Sequence, residues 1–175
     1  MTFKRIVAAL DQSPLDQTIY DQAATIAATQ NAELLLLNCV SEIEEVQPAL
    51  ETGVGTAWHP TVGTGVYPMV DKNLAVSEER REERYEEAHQ WLSQYQQEAE
   101  KQGIAVQKDA IPAIGEPGPR ICDAAKNWNA DLIVVGRMGR TGLAEALVGS
   151  VSNHVVHHAP CTVMVVQGET TEEKE

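Results

Sequence analysis

The stretch Asp131 to Ser150, DLIVVGRMGRTGLAEALVGS, decides how the chain is read. Leu132 to Val135 is a short apolar run closed by a glycine, as expected of a strand buried on both faces. It runs straight into Gly136; Gly139 follows, and a longer excursion ends at Gly149-Ser150, where a helix is expected to begin. Glycine permits positive φ and lets a ligand come close to the main chain. A helix opening at Ser150 would present amides without intrahelical partners and the positive end of its dipole, a seat for phosphate. The segment therefore reads as a strand, an amide-lined loop and a helix N-terminus arranged for a nucleotide, with the other strands positioning it.

The rest of the chain is compatible with that ligand. A length of 175 residues with 43% hydrophobic content suits one globular domain with a full core. Aromatic residues are few and Ala, Val and Leu dominate, which suits a parallel sheet covered by helices. The formal net charge of −13 argues against duplex nucleic acid, which needs a basic face, and against anionic membrane surfaces. A nucleotide is still allowed, because main-chain amides and a metal ion can neutralise phosphate locally. Cys39, Cys122 and Cys161 are odd in number, far apart and without a CxxC pair, so a reducing compartment is expected. The N-terminal apolar run is too short for a signal peptide, and no run approaches the roughly 20 apolar residues of a spanning helix. The expected location is cytoplasmic.

Taken in order, Phe3 to Leu10 reads as the first strand. Ser13 is the expected N-cap of the first helix, with Pro14 at its first position and Asp16 completing an S-x-x-D signature. Ile19, Ala23, Ile26 and Ala27 recur at helical spacing, and Leu34 to Val40 is a second strand, which makes a βαβ unit. Residues 41–75, rich in Pro and Gly, interrupt this alternation. Connections are usually about 2 to 6 residues long, so the segment reads as an insertion, either a flap, a partner-binding surface or a plain surface loop. Val76 to Gln102 is a long amphipathic helix with Tyr85, Ala88, Leu92, Tyr95 and Ala99 inward, and Gly103 is its stop. Ile104 to Ile111 is a third strand, Gly115 to Trp128 a helix, Leu132 to Val135 the fourth strand, Ser150 to His158 a short helix and Thr162 to Val166 the fifth strand. The series implies a doubly wound, Rossmann-like open five-stranded parallel α/β sheet, order 3-2-1-4-5, with helices on both faces. One domain is expected over 1–167, followed by an acidic tail over 168–175 that should be disordered.

In such sheets ligands bind outside the carboxyl ends of the strands where strand order reverses. The first and fourth strands flank that point, with Asp11 ending one and Gly136 the other. A carboxylate facing amides suits a nucleotide: the acid takes ribose hydroxyls or a metal, the amides take phosphate oxygens. With Asp11 after the first strand and the terminal APCTVMVV, the spacing Gly136-x2-Gly139-x9-Gly149-Ser150 resembles the universal stress protein family in its ATP-binding branch. The resemblance covers the chain apart from the insertion and the tail. It implies that Asp11 binds ribose with Leu10 beside it, and that Val40 lies near the adenine. Gly136, Arg137, Met138 and Gly139 would contact ribose and phosphate, and Gly149, Ser150 and Val151 would hold the phosphates. The implied ligand is ATP, with ADP or AMP as alternatives and Mg2+ left open. The resemblance also implies a homodimer through Thr162–Val166, which would otherwise be an exposed edge.

Other phosphate signatures are absent: there is no GxxxxGK[ST], and no GxGxxG follows the first strand. Arg137 and Arg140 are candidates to neutralise phosphate. His154 and His158 share a helix face by their i,i+4 spacing, with His157 and Cys161 nearby, but no second ligand cluster supports a metal site. The cysteines lack the basic neighbours of an activated thiolate. Three functions are compatible with this pattern. The first is a stress-response regulator switched by an adenine nucleotide. The second is a weak Mg-dependent ATP hydrolase using Asp11 and Arg137. The third is an interaction protein whose working surface is the insertion, with an unidentified protein partner. No catalytic residue is assigned.

Overall fold

The computed structural model describes residues 2–41, 78–113, 116–137 and 149–167. In chain order the elements are β1 (Arg5–Leu10), α1 (Asp16–Gln30), β2 (Glu33–Ser41), α2 (Glu78–Lys101), β3 (Val106–Ala113), α3 (Pro117–Asn127), β4 (Leu132–Gly136), α4 (Ser150–His158) and β5 (Thr162–Val166). The five strands form one parallel sheet in the expected order β3-β2-β1-β4-β5.

Strand alternation sends successive side chains to opposite faces. Ile6, Ala8 and Leu10 of β1, with Leu34 and Leu36 of β2 and Leu132 and Val134 of β4, pack against α1 and α2. Val7, Ala9, Leu35, Leu37, Ile133 and Val135 pack on the other face against α3 and α4. Every residue of β1 after Arg5 is buried, which is why this strand reads as a continuous apolar run. The start of β1 is tied to the approach to β4: Asp131 Oδ2 accepts the amides of Lys4 at 2.7 Å and Arg5 at 3.0 Å.

Two departures from the sequence expectation have a local reason, and other element ends shift by one or two residues. Helix α1 begins at Asp16, so Ser13 is not its N-cap and Pro14 is not its first residue. Ser13 to Leu15 form a turn closed by the Asp16 amide donating to the Ser13 carbonyl at 3.1 Å, and the first α-helical bond runs from Ile19 to Leu15. The Ser13 hydroxyl accepts the Leu15 amide at 3.3 Å instead, and the Asp16 carboxylate turns back to the end of β1. Strand β3 runs two residues further than expected and contains Pro112, which is tolerated because β3 is an edge strand. Strand β5 has the expected bounds, and Cys161 just before it is half-buried against the second apolar cluster. Gly103 follows α2 at φ 76°, a left-handed conformation that glycine adopts without cost. Of the insertion 41–75 only Ser41 is among the described residues; Val76, Gly115 and the tail 168–175 also lie outside them.

The packing of α3 on α4 depends on Gly118. A Cβ built there would lie 2.8 Å from His154 Cβ and 2.9 Å from His154 Cγ, too close to be relieved by a rotamer change. Gly118→Ala is therefore expected to destabilise the protein by about 1–3 kcal/mol as the helices separate, outweighing a helix-propensity gain of at most about 1 kcal/mol. Urea unfolding measures this; an unchanged midpoint would mean that the helices do not meet at this point.

Candidate functional site

At the carboxyl ends of the strands a cleft of about 690 Å3 opens where the chain leaves the neighbouring strands β1 and β4 towards opposite edges of the sheet. This is the topological switch point of a doubly wound sheet. Leu10, Asp11, Val40, Gly136, Arg137, Gly149, Ser150 and Val151 all line it. The structure thus gathers the candidate residues that it describes into one place; Met138, Gly139 and Arg140 lie outside the described residues.

The β4–α4 wall is held by main-chain bonds. The Arg137 amide donates to the Val166 carbonyl at 2.7 Å, and the Gly149 amide donates to the Arg137 carbonyl at 2.8 Å. The two ends of the intervening segment are therefore clasped together. Ser152, only 1% exposed, adds to the clasp: its hydroxyl lies 3.0 Å from both the Arg137 and the Gly149 carbonyls and donates to one or shares its proton between them. The first bond of α4 runs from the Asn153 amide to the Gly149 carbonyl at 2.8 Å. The amides of Ser150, Val151 and Ser152 precede it and have no partner within the helix, so this end of the cleft favours an anion.

The β1 wall is acidic. Asp11 is half-buried at the end of β1, and Gln12 follows in a left-handed conformation at φ 63°. Asp16 is 3% exposed, and its Oδ1 accepts the Asp11 amide at 3.0 Å. Burial, reinforced by the neighbouring Asp11 charge, pushes the Asp16 carboxyl up to about 6 despite the amides of Asp11, Gln12 and Ser13 that favour its ionised form. A carboxyl that binds its proton more tightly when folded stabilises the fold fully below its unfolded value of 3.8 and loses that contribution as pH rises through about 6. The difference is about 3 kcal/mol. Asp16→Asn keeps an acceptor oxygen without the charge. Relative to the parent it is expected to gain stability steadily from about pH 4 to pH 7 and to level off above that. Denaturant unfolding across this range tests it; a parallel pair of curves would contradict the burial of the charge.

On the far side of β1, around Val40, lie Asn38, Arg84 and Glu87, which sequence reasoning did not single out. Asn38 is 6% exposed, and its Nδ2 donates to the Leu10 carbonyl at 2.8 Å. Arg84 of α2 donates through Nη1 to the Ser41 carbonyl at 2.9 Å, and Glu87 lines the same end. Val40 is buried against Ala88 and Ala110. Two signals for these residues were present: Asn38 is a lone amide within LLLLNCV, and Asp16 falls on the inward stripe of α1 with Ile19, Ala23 and Ala27.

The remaining candidates stand apart from this chemistry. His154 and His158 do share a face of α4, with ring centroids 4.2 Å apart and stacked. Among the described residues no three His, Cys, Asp or Glu side chains converge as a metal site would require. Burial pushes the Cys39 thiol up to about 12 and raises Cys122 and Cys161, so all three are protonated at neutral pH. No described helix is long and apolar enough to cross a membrane.

Comparison with known proteins gives a consistent picture. The model of the universal stress protein family matches residues 59–167. A universal stress protein of Synechocystis is 33% identical over 167 residues, covering 95% of this chain and 99% of that one. Among solved structures, the universal stress protein UspA of Lactobacillus plantarum is 26% identical with a TM-score of 0.69, covering 95% of this chain and 99% of its own. Two more distant structures share the fold. One, from Archaeoglobus fulgidus in complex with dAMP, is 19% identical with a TM-score of 0.57, covering 94% of this chain and 98% of its own. The other, from Arabidopsis thaliana with AMP bound, is 18% identical with a TM-score of 0.56, covering 98% of this chain and 96% of its own. By its family match and its near full-length likeness to the Synechocystis protein, this chain belongs to the universal stress protein family.

Proposed function

We propose that this protein binds an adenine nucleotide in the cleft between the carboxyl ends of β1 and β4 and works as a nucleotide-dependent regulator in the stress response. The observation that carries the proposal is the pairing of the Asp11 carboxylate with the amides that open α4 across one cleft. Asp11 would accept the ribose hydroxyls, and the Ser150 and Val151 amides would take phosphate oxygens, with Arg137 beside them. The AMP and dAMP complexes of distant family members support the choice of an adenine nucleotide. ATP is the expected ligand, and a Mg2+ ion would arrive on its phosphates rather than in a protein cage.

Binding is favoured over turnover by the placement of the acids. Asp11 would be engaged by the sugar, and Glu87 lies on the β2–α2 side, across β1 from α4. Switching would then draw on the ligand's differential affinity for two conformations of the protein. The test is to release whatever nucleotide accompanies the purified protein, identify it by mass spectrometry, and measure ATP occupancy and phosphate release by dialysis. Retained ATP with little release supports the regulator. Steady release at full occupancy would favour a hydrolase, and no adenine nucleotide binding at millimolar concentration would refute the site.

We further propose a homodimer through β5. This strand is an edge of the sheet, and Val165 on it is 37% exposed. Exposed apolar edges invite strand pairing, and an added lysine blocks it. Val165→Lys is expected to shift the protein from dimer to monomer in sedimentation velocity without unfolding it; a dimer that survives the substitution would point to another interface.

A further inference from the structure

We propose that Asp16 and Asn38 are positioning residues that clamp the peptide group between Leu10 and Asp11 and thereby aim the Asp11 carboxylate at the ribose of a bound nucleotide. The inference rests on the nucleotide reading above; Asp16 lies outside the lining of the cleft, and Asn38, which lines it, acts here through its bond to the Leu10 carbonyl.

The Leu10 carbonyl and the Asp11 amide are the two ends of one rigid peptide plane. It lies where the chain leaves the sheet. Asn38 Nδ2, from β2, donates to the carbonyl end at 2.8 Å. Asp16 Oδ1, from the first turn of α1, accepts from the amide end at 3.0 Å. The two bonds come from separate elements and restrain the plane from both ends, so the N–Cα bond of Asp11 leaves it in a set direction and only rotation about that bond and within the side chain remains. Asn38 and Asp16 are both nearly inaccessible to water. Burying an amide or a carboxylate is unfavourable unless it is hydrogen-bonded, so these contacts persist.

Electrostatics acts in the same direction. The Asp16 and Asp11 charges repel each other. Asp16 is fixed in the protein and Asp11 is half-exposed, so repulsion turns the Asp11 carboxylate away from α1 and towards the cleft that it lines. The left-handed conformation of Gln12, rare for a residue with a side chain, marks the same turn as tightly determined by its surroundings. A purely structural account would have Asn38 and Asp16 only satisfy one another's neighbourhood, with no bearing on which sugar is bound.

The test compares ATP with 2′,3′-dideoxy-ATP by calorimetry on the full chain. The parent is expected to prefer ATP by roughly tenfold, the worth of hydrogen bonds to a carboxylate. Asp11→Ala should abolish that preference. Asp16→Ala and Asn38→Leu should abolish it too, and Asp16→Ala, at a residue outside the lining of the cleft, should leave dideoxy-ATP affinity within about twofold of the parent. Asp16→Asn, which retains the acceptor oxygen, should keep it. Should Asp16→Ala fail to fold, Asn38→Leu acts on the other end of the same peptide. Amide hydrogen exchange at Asp11 without nucleotide, slow in the parent and in Asp16→Asn, reads the clamp independently. Folded Asp16→Ala and Asn38→Leu proteins with the parent's sugar preference would overturn the inference while leaving the nucleotide site intact. A parent that binds neither nucleotide would overturn both.

Discussion

Asp11→Ala is expected to weaken adenine nucleotide binding by roughly 10- to 100-fold while moving the thermal midpoint by no more than about 2 °C. The affinity estimate follows from losing charge-assisted hydrogen bonds to the ribose. The near-constant stability follows from which atoms of Asp11 hold the turn. Its main-chain amide, which alanine keeps, donates to Asp16 Oδ1 at 3.0 Å. Its carboxylate is a neighbouring like charge that raises the Asp16 carboxyl, so its removal relieves repulsion rather than breaking a tertiary bond. Calorimetric titration with ATP alongside a melting curve separates the two effects. A variant that binds like the parent would mean that the carboxylate faces no ligand group.

The largest effect on stability is expected from Leu92→Ala, a loss of about 2–5 kcal/mol from a total that is typically about 5–15 kcal/mol. Helix α2 is mostly exposed: of its described residues only Ala88, Leu92 and Ala99 are buried, and Leu92 is the large one. It enters the core cluster formed by β1, β2, β4 and α1, while Trp91 and Tyr95 pack partly against the same cluster. Truncating it leaves a cavity between α2 and the sheet. Because Arg84, Glu87 and Ala88 carry α2 to the edge of the cleft, nucleotide affinity should fall as well. Urea unfolding gives the stability loss, and hydrogen exchange should show α2 opening ahead of the central strands. A cost below about 1 kcal/mol would mean that α2 is held mainly by Trp91 and Tyr95.

The parallel sheet was legible because β1, β2 and β4 are nearly continuous apolar runs and because helices alternate with the strands. The boundaries of α4 and β5 were legible as well, since Gly149 and Pro160 punctuate them. The start of α1 was not: Ser13-Pro14 has the local chemistry of a cap, but the Asp16 carboxylate is drawn to an amide at the end of β1 rather than to its own helix. The extent of β3 depended on knowing that it is an edge strand, which makes Pro112 acceptable. At the cleft, residues adjacent to glycines in the chain were readable from spacing. Asn38, Ser152 and Arg84 were not, because their partners Leu10, Arg137 and Ser41 are brought to them only by the fold.

The most direct measurement is a crystal structure of the protein grown with ATP. The ribose hydroxyls are expected within hydrogen-bonding distance of the Asp11 carboxylate, and the phosphates over the amides of Ser150 and Val151 at the start of α4. A nucleotide bound elsewhere on the protein, or side chains filling the space between Asp11 and Gly149 with no ligand between them, would contradict the account.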